Sequence, residues 1–210
     1  MRSLAVFLSY LLHPVFMLTY VTAFFIFTEN HFSYFMSPAK KLFLMGAVFI
    51  FSVSLPLLNV FVLKKLGYIK GMNMSGASER FMPYVSAIVL HSGLLYILYD
   101  LDIPFFFKFL VIVSIAVLAL VFICNFFILI SAHLAALGGC FGIIAFYEFI
   151  AFVPSLWPLC ICLALAGLAG YARLCLQAHR PKEVYLGFVT GFLSSLLALF
   201  LLTYLNITFR

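Results

Sequence analysis

The sequence predicts an all-α protein, a polytopic bundle of six to seven membrane-spanning helices. Two bulk properties and one pattern carry that prediction. Of 210 residues, 67% are hydrophobic and 9% are charged, whereas a soluble globular chain carries roughly 25% charged and 45–50% apolar residues. Mean hydropathy is +1.25. So little polar surface cannot clothe a water-soluble sphere, so the solvent for most of the chain is lipid. The pattern is a succession of long apolar runs, each near the ~20 residues that cross a bilayer. At this length they compose one membrane domain, 1–210, with the chemistry-bearing core at about 64–206.

The first run, Leu4 to Phe27, follows Met1-Arg2-Ser3. It is about twice the length of a signal-peptide h-region, and no small-residue cleavage site follows. It reads as a retained first span at about 4–27. The next spans are expected at about 42–63, 82–99 and 103–130. The last three are expected at about 133–150, 155–173 and 183–206. The third and fifth are the shortest, which makes six the alternative count. Gly138, Gly139 and Gly142 in the fifth span, with Gly167 and Gly170 in the sixth, allow close helix packing. The Phe-rich stretches read as lipid-facing surface.

The cysteines, Cys124, Cys140, Cys160, Cys162 and Cys175, lie in or beside apolar runs and read as small buried hydrophobes. Cys160 and Cys162 lack a metal or redox spacing, and no disulfide is expected. The net charge of +6 points to anionic partners, membrane lipid headgroups or phosphate. No basic run with interleaved aromatics appears, so nucleic acid is not an expected partner.

Seven alternating spans put the N-terminus, the 64–80 loop, the 131–133 junction and the 173–183 loop on one face. Three clusters stand there. Glu79-Arg80-Phe81-Met82-Pro83 enters the third span, Ser131-Ala132-His133 enters the fifth, and Arg173, His179 and Glu183 lead into the seventh. The first turn of a helix offers free N–H groups and a positive dipole end, which favour an anion. Pro83 and Pro181 suit a place just inside a helix start. Arginine's planar fork binds phosphate oxygens in pairs. Together these features predict a phosphate site.

These clusters resemble the three-part pattern of the type 2 phosphatidic acid phosphatase (PAP2) superfamily, membrane lipid phosphatases that work through a phosphohistidine. Arg173, His179 and Glu183 reproduce the spacing of its third part, with Glu for Asp and Ala172 for Ser. Ser131 and His133 reproduce the second, with Ala132 for Gly and Ile130 for Pro. Arg80 matches the arginine of the first, although Pro83 stands three residues later. The lysine's expected place holds Asn73, and Lys70 is the nearest substitute. The match covers residues 80–183, about half the chain.

The resemblance implies a PAP2-like core and a lipid phosphate substrate, with no metal or other cofactor. It also implies an integral protein of the bacterial inner (cytoplasmic) membrane. His179 would attack phosphorus, and Glu183 would orient its ring and stabilise the imidazolium. His133 would protonate the leaving oxygen and later activate water. Arg80, Arg173 and Ser131, with Lys70, would hold the phosphate oxygens.

Each residue also has a plainer reading. His179 and Glu183 form a capped helix start, His133 donates to a neighbouring carbonyl, and Arg80 and Arg173 snorkel to headgroups. His13 beside Pro14, and His91, read as packing or kink features, with His91 a candidate for lining a cavity. Glu148 reads as interfacial. A zinc site from His133, His179 and Glu183 is disfavoured by two adjacent arginines. Rival functions are a catalytically silent lipid-phosphate binding or scaffold protein and a small transporter. The transporter needs paired charges at mid-membrane, and the sequence offers none apart from His91. Sidedness stays open. Eight basic residues on the motif face against four on the other favour the cytoplasm, whereas members of the superfamily mostly face outward. Oligomeric state is not legible.

Overall fold

The computed structural model describes residues 2–28, 31–69, 77–150 and 154–204. The first predicted span is two helices, α1 (Arg2–Leu11) and α2 (Pro14–Phe27), bent by 59°. Pro14 causes the break, because it has no N–H for the Tyr10 carbonyl and its ring crowds that oxygen. The His13 N–H takes the Tyr10 carbonyl instead, at 3.2 Å. The His13 side chain then caps α2, its Nδ1 accepting from the Val15 N–H at 3.3 Å. A single helix over 4–27 is therefore corrected to a broken one, with His13 as the kink residue.

A short α3 (His31–Tyr34) leads to α4 (Pro38–Phe49), which begins before the expected residue 42 because Ser37 caps it. α4 passes through a π-helical turn, Ile50–Ser54, into α5 (Leu55–Lys65), making one 28-residue span. Pro56 explains the wide turn, since a proline cannot donate to the carbonyl four residues back and needs room beside it. The hydroxyls of Ser52 in that turn and Thr19 in α2 hydrogen-bond at 3.0 Å.

α6 (Ala77–Tyr99) starts earlier than expected, so Pro83 lies inside it and not at its start. α7 (Phe105–Cys124) ends earlier than expected. There Asn125 turns its side-chain amide back to the Val121 carbonyl at 2.8 Å and closes the helix. α8 (Ala132–Ile150), α9 (Trp157–Cys175) and α10 (Pro181–Tyr204) complete the bundle. Among the described residues, six helices are long and apolar enough to cross a membrane, and the bent α1–α2 pair makes a seventh if counted as one. The protein is all-helical and, by that measure, a multi-pass membrane protein.

α8 is the central helix, flanked by α10, α9, α2 and α7. Its pairing with α10 is the most extensive in the bundle, and glycine makes it so. A methyl group on Gly138 would fall 2.1 Å from the Phe188 carbonyl oxygen, and one on Gly191 would fall 1.8 Å from that of Ala135. Gly138, Gly187 and Gly191 let the backbones touch, and Gly142 makes room for the Ser195 side chain. Gly167, by contrast, faces open space.

Two surface expectations are corrected. Phe25, Phe106, Phe107 and Phe109 are fully buried, because edge and stacked ring contacts fill the end of the bundle away from the motifs. Phe32 and Phe106 stack there with centroids 4.2 Å apart. Phe126, Phe127, Phe149 and Phe200 do face outward. Among the cysteines, only Cys162 is buried; Cys160 and Cys175 are exposed on the outside of α9. Glu148 is buried and accepts the Ser155 N–H at 2.6 Å.

Candidate functional site

The segment from Arg173 to Glu183 owes its spacing to two local motifs. α9 ends in a Schellman turn: the Ala178 N–H donates to the Arg173 carbonyl at 3.0 Å and the Gln177 N–H to that of Leu174 at 2.9 Å. Gln177 occupies the left-handed position, with φ 52°. α10 then opens with Pro181, and Glu183 reaches back to accept the Arg180 N–H at 3.2 Å, one half of a capping box. The first motif reverses the chain so that His179 returns beside Arg173, and the second fixes Glu183 under the imidazole. His179 Nδ1–H donates to the same Glu183 oxygen at 2.9 Å. The capped-start reading and the orienting reading are therefore one geometry. His179 Nε2 is left with its lone pair.

At the α8 entrance, the Ser131 N–H donates to the Glu183 main-chain carbonyl at 3.0 Å. Gly187, one turn further along α10, lets this approach happen, since a methyl there would lie 2.6 Å from the Ser131 oxygen. His133 is buried and points towards α1. Its Nε2–H donates to the Ser9 carbonyl at 3.1 Å, with the Ser9 hydroxyl at 3.4 Å. A carbonyl only accepts, so the neutral ring carries its proton on Nε2 and its lone pair on Nδ1. His13 lies edge-on to this ring, with centroids 5.2 Å apart.

Arg173 Nη1 donates to the Ser9 hydroxyl at 2.8 Å, while its Nε is buried with no hydrogen-bond partner. Arg80, in the first turn of α6, donates to the Asn125 side chain and the Ile130 carbonyl, each at 3.4 Å. These contacts tie α6 to the α7–α8 junction.

Arg80, His133, Arg173 and His179 all line one cavity of about 270 Å³, together with His13. Away from that charged end the walls are mainly apolar, from Met17 and Val21 on α2, Val113 and Val117 on α7, and Ile143 on α8, with Ser52 and Ser114 among them. His91 lines the far part and donates Nδ1–H to the Ala87 carbonyl at 2.7 Å. From Arg80 to His91 is eleven residues of helix, or about 16 Å at 1.5 Å per residue. The cavity thus couples a cationic end to an apolar body about half a bilayer deep. Burial holds the His179 imidazole below its ordinary pKa; Glu183 opposes this by accepting its hydrogen bond, and Arg173 and Arg80 add to the depression.

Of the residues expected from sequence, Arg80, His133, Arg173, His179 and Glu183 come together. Ser131 is fully buried beside them, but its hydroxyl has no hydrogen-bond partner and does not line the cavity. Lys70 and Asn73 lie outside the described residues. Ser9 and Asn125 are not among the expected residues, and His13, expected only as a packing or kink feature, also lines the cavity. Ser9 and His13 stand four apart before a proline, which puts two polar groups on one face of an apolar helix, and that spacing was the available signal.

The molecule is thus a helical membrane bundle with a cationic, histidine-containing cavity at one end. No protein-family model, curated protein or solved structure matches the chain.

Proposed function

We propose that this protein is a membrane lipid phosphatase, acting on a phosphomonoester or diphosphate through a phosphohistidine. The observation that carries this reading is one cavity holding three histidines, His13, His133 and His179, and two arginines, Arg80 and Arg173, at one end of an apolar slot. A buried cation is costly without an anion, and Arg173 has a buried Nε with no partner. An apolar body beyond the cations fits a hydrocarbon chain whose phosphate sits at the membrane interface.

In this mechanism His179 Nε2 attacks phosphorus, and the bond from phosphorus to the lipid oxygen breaks. With the anionic phosphate bound, His133 enters as the imidazolium and gives its Nδ1 proton to the departing alkoxide, while Nε2–H stays on the Ser9 carbonyl and the ring is left as the neutral Nε2–H tautomer. The same Nδ1 then takes a proton from water, which displaces phosphate from His179. Glu183 stabilises the imidazolium that forms on His179. Arg80 and Arg173 hold the equatorial oxygens as charge builds. Such an enzyme would sit in the bacterial inner membrane, as its resemblance to the PAP2 superfamily implies.

The test is phosphate release by the purified protein in detergent from phosphatidate, phosphatidylglycerol phosphate or a polyprenyl diphosphate. Vanadate, a trigonal-bipyramidal mimic, should inhibit it. A second reading, a lipid-phosphate binding protein without turnover, is favoured by Ser131, whose hydroxyl does not reach the cavity. Tight phosphate-lipid binding with no release selects it.

A further inference from the structure

The break in the first span has a use beyond bending the chain. In an unbroken helix the Ser9 carbonyl would accept the His13 N–H. Pro14 deprives the Tyr10 carbonyl of its donor, and His13 N–H moves one residue along to fill it at 3.2 Å. The Leu8 carbonyl keeps the Leu12 N–H at 2.9 Å, and the Leu11 carbonyl accepts the Tyr20 hydroxyl at 3.2 Å. Of the Leu8, Ser9, Tyr10 and Leu11 carbonyls, that of Ser9 is the one whose hydrogen bond leaves its own span. That carbonyl is the acceptor of His133 Nε2–H, and the hydroxyl of the same residue accepts from Arg173.

We infer that Ser9, freed by Pro14, is a positioning residue for the reaction proposed above. Its carbonyl fixes the tautomer of His133 and its hydroxyl aims Arg173. The inference rests on that reaction for its kinetic consequences, whereas the tautomer itself stands on geometry alone. The carbonyl plays for His133 the part that Glu183 plays for His179, so each histidine has one nitrogen held and the other available. One residue of α1 sets both the proton donor and a phosphate ligand, which links the N-terminal helix to the chemistry of α8 and α9. α1 itself packs against α9, so the clamp is supported from the Arg173 side.

The experiment uses the full chain in detergent with Pro14→Ala, Ser9→Ala and Ser9→Thr. Nitrogen NMR of labelled histidine, with His133 assigned by its loss in His133→Gln, should show a single Nε2–H tautomer in the wild type. Pro14→Ala lets His13 N–H return to the Ser9 carbonyl. The His133 signal should then become a tautomer mixture, and kcat should fall about tenfold or more with KM little changed, part of the roughly 10²–10⁴ a positioned acid–base group supplies. Ser9→Ala should weaken inhibition by inorganic phosphate about tenfold, the factor carried by a hydrogen bond to a charged group, and Ser9→Thr should restore it. Unchanged tautomer, kcat and phosphate inhibition in Pro14→Ala and Ser9→Ala overturn the inference, as do losses that follow only the melting temperature. A locked tautomer in a protein that releases no phosphate supports the clamp and removes the enzyme reading instead.

Discussion

The main-chain N–H of Ser131 donates to the main-chain carbonyl of Glu183 at 3.0 Å, so the entrances of α8 and α10 are joined backbone to backbone. The His133 and His179 clusters are therefore held by two touching helices and not by flexible side chains. That contact depends on the glycines of α10.

Gly191→Ala should accordingly be costly. Its methyl would fall 1.8 Å from a backbone oxygen that cannot swing aside. Overpacking of this kind costs about 1–3 kcal/mol, which thermal unfolding in detergent would read as a lower midpoint. Gly167→Ala, at a position facing open space, should leave the midpoint unlowered.

The pH dependence of the proposed reaction follows from His179, which would have to be neutral to attack phosphorus. Its pKa in the folded protein lies below the ordinary 6.5, chiefly through burial. The acidic limb of kcat/KM should therefore lie below pH 6.5. Glu183→Gln removes the interaction that opposes the depression, so the limb should move to still lower pH while kcat falls. The same depression makes folding less favourable as pH drops through 6.5 towards the folded value, because the unfolded chain takes up the proton first. A limb above pH 6.5 in the wild type would assign the titration to another group.

Chain length should be read by the cavity body. Ala87 lines it seven residues beyond Arg80, about 10 Å along α6. Ala87→Phe should reduce turnover of a long-chain lipid phosphate at least about tenfold, the scale on which a filled pocket rejects a few methylenes. A short-chain soluble phosphomonoester should be hydrolysed as before. Equal losses on both substrates would mean that the chain does not enter this cavity.

Gln177 holds a left-handed backbone, which costs an L-residue with a side chain roughly 1–2 kcal/mol. Gln177→Gly should raise stability by about 1 kcal/mol in denaturant or thermal unfolding, since glycine relieves that strain but gives up some chain entropy.

Much of this is legible in the sequence. Charge scarcity and run length fixed the class, and parity alone placed Arg80, His133 and His179 at the same end. The helix breaks were legible only in part. Pro14 announced a kink, but that the kink releases the Ser9 carbonyl towards His133 depends on a contact across 124 positions of sequence. Pro83 looked like a helix start, whereas α6 runs through it, and nothing in the expected 42–63 span announced the π turn that accommodates Pro56. The phenylalanines misled for a different reason. In a lipid-solvated chain, hydrophobicity no longer separates inside from outside, so nothing local distinguished buried Phe106 from exposed Phe149. The tight α8–α10 seam shows the same limit: Gly138 and Gly142 of α8 stand out in the sequence, but Gly187 and Gly191 on the α10 side declare themselves only in contact.

The central claim is that His179 Nε2 forms a bond to phosphorus. The most direct measurement is an acid-free quench of the protein turning over a lipid substrate labelled on phosphorus, followed by mapping of the labelled residue. Label on His179 in the wild type, none in His179→Ala, and more in His133→Ala with turnover slowed is the predicted result. Undiminished phosphate release by His179→Ala would contradict it.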